Sequence, residues 1–133
     1  MRDPNFQTIL DAAATNGAGD EMATSEFDAL SLFVGLSGFT GTIKIVGTLK
    51  TTAVSDWTAT PATANELFTI AIIALEDGTT LVEGDTGIVT TTETSAKGYK
   101  VNLDGCRAIN AVVTNRSAGS ATVKAYGRNL NKR

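Results

Sequence analysis

The sequence predicts an all-β protein: an antiparallel β-sandwich, jelly-roll-like, preceded by an extended N-terminal arm. Three observations support this prediction. Apolar and polar residues alternate with a period of two along most of the chain, as in half-buried strands. Turn sequences containing glycine divide the chain into short strands at a spacing of roughly 8–12 residues, as in sandwiches. Finally, 21 of the 133 residues are threonine, whose β-branched side chain fits a pleated sheet better than a helix.

The chain is predicted to consist of an arm, a sandwich and a tail. Residues 1–26 form the arm, residues 27–128 the β-sandwich, and residues 129–133 a basic C-terminal tail. Within the arm, the Asn-Gly-Ala-Gly sequence at 16–19 is a flexible break. The segment 8–14 is compatible with one helical turn or with a short strand, and we expect a strand at the edge of the sheet.

The first half of the predicted sandwich shows the alternation most clearly. The segment 28–34 has leucine or valine at every second position from its third residue onwards. The segment 35–41, rich in glycine and serine, is predicted to be a turn. The segment 42–49 then alternates again, with isoleucine and leucine on one side and mostly polar residues on the other. This pattern is typical of an antiparallel strand with one buried face.

The second half is predicted to contain five further strands. Glycine-containing tight turns are expected at 76–79 and 82–85. The sequence Asn-Arg-Ser-Ala-Gly-Ser at 115–120 is predicted to be the turn of a closing hairpin. The five strands are expected at 80–83, 87–92, 99–103, 107–114 and 120–127.

The segment 66–78 breaks the alternation because it is apolar on both faces. A buried helix capped by Asn65 and ended by Gly78 is one interpretation, but three isoleucines and a threonine favour a strand. The outer face of such a strand must then be covered by the arm or by another subunit. The side chains predicted to take part in this interaction are Phe68, Ile70 and Ile72.

Charge is distributed unevenly along the chain. Residues 1–96 contain thirteen acidic and three basic residues, whereas residues 97–133 contain one acidic and eight basic residues. An acidic body and a basic end can attract each other within one fold or between copies. A nucleic-acid site is not expected, because the bases alternate along strands without a basic helix or an aromatic stacking platform. The cations predicted to face an acidic neighbour are Lys124, Arg128, Lys132 and Arg133.

The residues that usually carry enzymatic chemistry are missing from the sequence. It contains no histidine, the commonest general base and zinc ligand, and no nucleophile-elbow or phosphate-loop motif. The single cysteine, Cys106, cannot form an internal disulfide and is expected to pack as a small hydrophobic residue. We therefore expect no enzyme activity, no catalytic residue, no cofactor, no metal and no small-molecule substrate.

Four acidic residues deserve a separate interpretation. A hydrolase with paired carboxylates, or a Ca²⁺ site with oxygen ligands, would need acids of this kind. The four acidic residues flank one short predicted hairpin, so we interpret them as solvated turn residues. These acids are Glu76, Asp77, Glu83 and Asp85.

The large aromatic residues are interpreted as packing residues. Trp57, the single tryptophan, is expected to plug the core or to cover an edge of the sandwich, and a ligand platform is the alternative. Tyr99 and Tyr126 are expected to pack with their hydroxyl groups in water.

Membrane insertion and secretion are not expected. The longest apolar stretch, 68–75, is far shorter than the ~20 residues that a membrane-spanning helix requires. The N-terminal region has no long apolar segment and contains several acidic residues, unlike a secretory signal. We therefore expect synthesis in the cytoplasm.

The order of these features resembles a known type of viral protein. "TILDAAATNGAGD" (8–20) is followed by "LSLFVGLSGFTGTIKIVGTLKTTAVSDWTA" (30–59) and later by "GYKVNLDGCRAINAVVTNRSAGSATVKAYGR" (98–128). This pattern, which extends from Thr8 to Arg128, resembles the small β-sandwich structural proteins of tailed bacteriophages. The chain departs from the pattern at Cys106 and in the strongly apolar segment 67–75.

The resemblance implies a virion component, made in the host cytoplasm. It implies a capsid decoration (cement) protein that binds the head surface and ties capsomers together. Its partners would be the major capsid protein and copies of itself, with a homotrimer expected, and neither nucleic acid nor a membrane. The alternative is a β-sandwich module of the tail or fibre that binds a receptor or glycan.

Overall fold

The chain forms one bent antiparallel β-sheet. The computed structural model describes residues 6–59, 62–103 and 105–128. Among these residues there is one 3₁₀ turn (Ala62–Asn65) and no α-helix, and hence none that is long and apolar enough to cross a bilayer. The all-β, sandwich-like prediction is confirmed. The strands are β1 (Phe6–Ala13), β2 (Gly17–Ala18), β3 (Met22–Ala23), β4 (Ala29–Thr48), β5 (Leu67–Thr69), β6 (Ile72–Ala74), β7 (Leu81–Val82), β8 (Ile88–Asn102) and β9 (Ala108–Arg128).

The strand order explains which strands lie at the edges. The main path through the sheet is β1-β9-β4-β8-β6-β7, with β2 and β3 pairing with β9, and β5 pairing with β4. The edge strand predicted at 8–14 is confirmed by β1. The described part of the region predicted as an arm, residues 6–26, contains β1, β2 and β3. All three strands pair with β9.

Three strands are much longer than predicted: β4, β8 and β9 contain 20, 15 and 21 residues. The turns predicted at 35–41 and 115–120 are wrong, because both segments lie inside strands. The predicted closing hairpin is also wrong, because its two strands and its turn are all parts of the single strand β9. The strands predicted at 87–92 and 99–103 are likewise parts of β8. The glycine-rich segments form β-bulges, in which the strand continues past an extra residue instead of reversing.

The bulges of neighbouring strands lie side by side and form a row across the sheet, which we call the bulge row. It contains the positive-φ residues Ala12 of β1, Asn115 and Gly119 of β9, Gly38 of β4 and Thr92 of β8. The strand registers shift at these points. Because bulges bend strands and increase their twist, the aligned row bends the whole sheet.

Side-chain oxygens accept hydrogen bonds from backbone amides along the bulge row. An interrupted ladder leaves backbone N–H groups that need other acceptors. Threonine hydroxyls supply three of these acceptors and an asparagine side chain supplies the fourth. Some of the many threonines of the sequence therefore stabilise the bulges. The donor and acceptor pairs are Ala12 with Thr122 (3.0 Å), Gly38 with Thr94 (2.9 Å), Thr92 with Thr40 (2.8 Å) and Arg116 with Asn16 Oδ1 (2.9 Å).

Both halves of the bent sheet bury residues in one core. The residues of β4 that belong to the main apolar cluster are even-numbered before the bulge row, as at Leu32 and Val34, and odd-numbered after it, as at Ile43 and Ile45. All four residues belong to the same apolar cluster. The bulge thus changes the phase of the alternation so that each half presents its apolar face to the shared interior. Each buried aliphatic side chain contributes about 1.5–3 kcal/mol to stability.

The apolar segment 66–78 is not a helix, so the helical alternative is wrong. It divides into β5, which pairs with the end of β4, and β6, which pairs with β7 and β8. Ile72 is only 2% exposed and lies in the core cluster. Because β5 and β6 pair with different strands, much of the apolar surface of the segment is buried within this chain.

A second, smaller apolar cluster covers the opposite face of the sheet beyond the bulge row. Trp57 packs there with Val46, Ala108 and Val112 and is 8% exposed. Its predicted burial is confirmed. Cys106 is buried in the main cluster, as expected of a small apolar side chain.

Candidate interaction surface

The strand register places a row of six residues on one outward side of the sheet. Cross-strand partners share a face, and the pairing runs from β7 to β1 in five steps. The row consists of Leu81, Ile73, Lys100, Ser31, Tyr126 and Phe6. We call the side of the sheet that carries this row the outer face.

A second row lies two residues further along the strands on the same face. Phe33 is paired with Gly98 on one side and with Lys124 on the other, and Lys124 is paired with Thr8. The side chain of Leu75 covers Gly98, with its Cδ1 atom 3.1 Å from the position that a Cβ would take. On the other side of the first row, Ala29 is paired with Arg128 and Asn102.

Large apolar side chains on the outer face are unusually exposed. Phe33 and Tyr126 are each 45% exposed, and Leu81 is 58% exposed. The rings of Phe6 and Tyr126 pack at a centroid distance of 6.5 Å with an interplanar angle of 49°. Rigid aromatic rings with an apolar body and little conformational freedom are enriched at protein interfaces.

The charged residues at the register positions of these rows are all cations. Lys100, Lys124 and Arg128 are exposed there, and no carboxylate occupies any of the register positions named above. Two of them, Lys124 and Arg128, were predicted from the sequence to face an acidic neighbour. The outer face thus combines exposed aromatic area with positive charge.

An apolar groove of about 420 Å³ adjoins the outer face beside β6 and β7. Leu49 and the predicted interaction residues Phe68 and Ile70 form part of its wall. Leu81 and Lys100 line the groove and also stand in the outer-face row, so the two features are continuous.

The structure brings together some of the predicted interaction residues and separates others. Phe68 and Ile70 line the groove, and Lys124 and Arg128 lie on the outer face. Ile72 lies in the core of this chain, with its side chain turned away from the outer face. The remaining two, Lys132 and Arg133, lie outside the described residues.

Sequence reasoning missed Phe33 and Lys100 and treated Tyr126 only as a packing residue. One signal for Phe33 was available: it stands on the otherwise small and polar side of an alternating strand. Its proximity to Lys124 was not visible, because it depends on the register between β4 and β9.

The four acidic residues interpreted as turn residues are exposed and flank β7. The Asp77 carboxylate accepts hydrogen bonds from the Thr80 hydroxyl and from the amides of Thr79 and Thr80. The Thr80 hydroxyl bond is the main cause that lowers the pKa of Asp77 to about 2. Asp85 accepts from the Thr69 hydroxyl at 2.6 Å. Within the described part of the chain, no three acidic or cysteine side chains are grouped in a way that could hold a metal ion.

A second groove, of about 610 Å³, lies near Trp57, on the side of the sheet away from the core and beyond the bulge row. Apolar residues such as Val46 and Leu67 line it, together with Lys44 and Asp85. The indole N–H of Trp57 donates to Glu21 Oε1 at 3.1 Å, and its ring is mostly covered. This tryptophan therefore offers little open ring surface for stacking a sugar.

Comparisons with known proteins identify the fold. No protein-family model matches the chain, and no curated protein matches it. Among solved structures, the chain is similar to the SPBc2 prophage-derived protein YomS, with a TM-score of 0.65 and 17% sequence identity. The similarity covers 90% of this chain and 88% of that one. At this identity the comparison establishes a shared fold along almost the whole chain.

Proposed function

We propose that this chain is a bacteriophage structural protein that decorates the capsid, binding the head surface and tying neighbouring capsomers together. The observation that carries the proposal is the outer face, where Phe33 and Tyr126 are exposed among three cations. The shared fold with a prophage-derived protein supports a phage origin. The virion is the proposed location, and the major capsid protein and copies of this chain are the proposed partners.

The dimensions of the outer face suit a protein partner. Six strands at a spacing of ~4.8 Å span about 24 Å, and six residues along a strand at ~3.3 Å span about 20 Å. The projected area, roughly 500 Å², is somewhat smaller than the ~800 Å² that each partner contributes to a standard interface. The adjoining groove, with Leu49 and Phe68 in its wall, extends the apolar surface beyond this area.

The chemistry of the face indicates a partner surface that is acidic and partly apolar. Covering an aromatic side chain removes up to ~150–250 Å² of its area from water. Opposite charges on the partner would orient the complex and accelerate its formation. A nucleic acid fits less well, because the chain as a whole carries a net charge of −3 and would repel a polyanion.

The proposal is tested by binding to capsids. Purified protein is mixed with expanded capsids of the phage or induced prophage that carries the gene, and co-sedimentation and cryo-electron microscopy give occupancy and position. We expect saturable binding at regular head positions, weakened by Phe33→Ala with Tyr126→Ala. As a matched control, Val89→Ala removes an exposed apolar side chain from β8 outside the named rows and should bind normally.

Four results would overturn the proposal. Protein that ignores capsids, or the double variant binding as tightly as the wild type, would remove the role of the outer face. If the protein were found only in the tails or fibres of purified particles, the alternative, a β-sandwich module of the tail or fibre, would replace the proposal. Equally tight binding of single-stranded DNA to the outer face would replace the protein partner by a nucleic acid.

A further inference from the structure

We propose that copies of this chain bind each other head to tail, with the acidic edge around β7 of one copy docking on the basic part of the next copy's outer face. This inference deepens the assembly role proposed above and rests on it. It specifies which two surfaces form the contact between copies, and it leaves the part of the outer face around Lys100 and Ser31 to the capsid.

The acidic edge consists of the exposed carboxylates Glu76, Asp77, Glu83 and Asp85, which flank β7. Three of them accept hydrogen bonds from threonine hydroxyls, and in the described part of the chain no lysine or arginine nitrogen forms a salt bridge with any of the four. Two exposed leucines adjoin these acids in the sequence, Leu75 next to Glu76 and Leu81 between Asp77 and Glu83. The edge therefore combines negative charge with apolar surface, as an interface for the outer face requires.

The basic part of the outer face consists of Lys124 and Arg128 on β9, with Phe33 and Tyr126 beside them. Strand β9 lies four strands from β7 along the sheet, a distance of about 19 Å at ~4.8 Å per strand. The Debye length in physiological salt is only ~8 Å. The acidic edge and the basic part are thus too far apart to neutralise each other within one molecule.

This separation of charge selects which surfaces meet when copies associate. A two-fold contact of two basic parts would oppose cations with cations, and one of two acidic edges would oppose carboxylates with carboxylates. A head-to-tail contact pairs opposite charges and apolar groups at once. Contacts of this kind repeat from copy to copy and close into a ring where the rotation between copies allows it, which agrees with the trimer expected from the resemblance.

Complementary charge reversals test the contact. The acidic-edge variant carries Glu76→Lys with Glu83→Lys, and the basic-part variant carries Lys124→Glu with Arg128→Glu. We expect the wild type to form a closed oligomer in analytical ultracentrifugation and native mass spectrometry. Each variant should weaken self-association by roughly 100-fold or more. An equimolar mixture of the two should associate again, because each variant retains one intact surface and the two reversed surfaces are again opposite in charge.

A matched control separates the contact from general charge effects. Glu26→Lys reverses an exposed charge outside the two surfaces and should leave the oligomer unchanged. Circular dichroism and thermal unfolding establish that each variant is folded. In ~1 M salt, where the Debye length falls to ~3 Å, the wild-type oligomer should dissociate.

A monomeric wild type, a variant that assembles like the wild type, or a mixture of variants that stays monomeric would each overturn the inference. These failures are distinguishable from failure of the proposed function. A wild-type monomer that binds capsids would remove the head-to-tail contact and leave the decoration role intact. A head-to-tail oligomer that ignores capsids would do the reverse.

Discussion

Gly119 of β9 lies directly against the backbone of Gly38 of β4. A Cβ atom on Gly119 would be 2.2 Å from the carbonyl oxygen of Gly38, far inside van der Waals contact. Both residues have positive φ, 74° for Gly119 and 55° for Gly38. The two longest strands thus pass through the bulge row with no side chain between them, and this close approach allows them to bend together.

Replacing Gly119 with alanine should destabilise the fold strongly. The substitution adds left-handed backbone strain to a clash with backbone atoms that cannot rotate away, and we expect a loss of about 3 kcal/mol or more in the free energy of unfolding. Urea unfolding followed by tryptophan fluorescence measures it. Gly78→Ala is the matched control, because its φ is 72° but no atom lies within 4 Å of the added Cβ. It should lose only about 1 kcal/mol, and equal losses for both variants would contradict the role of the close approach.

Asn110 should be the polar residue whose removal loosens the N-terminal region. It is fully buried, its Nδ2 donates to the Gly19 carbonyl at 2.8 Å, and its Oδ1 accepts from the Ala111 amide at 2.7 Å. Asn110→Ala leaves a cavity and unpairs the partly buried Gly19 carbonyl, at a cost of about 2–4 kcal/mol. Hydrogen exchange should show faster exchange in β2 and β3. The exposed Asn102→Ala is the control, and a similar loss there would refute the assignment.

Trp57 should report on its own burial, since it is the single tryptophan of the chain. Its ring is covered and its indole N–H donates to Glu21. We expect folded protein to emit at shorter wavelength than unfolded protein and to resist quenching by acrylamide. Trp57→Phe, which keeps most of the packing but loses the hydrogen bond, should cost about 1 kcal/mol by urea unfolding. Easy quenching in the folded state would show that the ring is open to ligands instead.

Asp77 should make the turn before β7 sensitive to acid. Hydrogen bonds, first from the Thr80 hydroxyl and then from the Thr80 and Thr79 amides, lower the pKa of its carboxyl from 3.8 to about 2. Because the folded-state pKa is the lower one, the stabilisation is present above pH ~4 and is lost as the pH falls towards ~2. An NMR titration should give the low value for wild type and a higher one for Thr80→Val. Titration of the wild-type carboxyl near 4 would disprove these bonds.

The strands were predictable from the sequence, but the way they join was not. Period-two alternation shows where an extended chain has one buried face, and it located parts of all three long strands. A glycine-rich segment between two such stretches indicates positive φ, which both a turn and a bulge require. Whether the chain reverses at 35–41 or continues depends on its partner. Because β4 and β9 pair on both sides of the bulge row, both strands continue.

The interaction surface was predictable only in part for a related reason. Lys124 and Arg128 stand at polar positions of an alternating stretch, so their exposure followed from the sequence. Ile72 was expected at an interface because its segment is apolar on both sides. The segment divides into two strands with different partners, which buries Ile72. The proximity of Phe33 to Lys124 depends on pairing between distant parts of the chain, and local pattern contains no information about it.

The position of β9 also governs when this protein can fold during its synthesis. It is the last described strand along the chain, yet it lies between β1 and β4 and also pairs with β2 and β3. At ~5–20 residues per second, a ribosome needs about 7–27 s to complete the 133 residues. For most of that time the apolar sides of β1 and β4 lack the neighbour that orders them. Native pairing of β1, β2 and β3 therefore has to wait until β9 has been made, whereas β4 can pair with β8 beforehand.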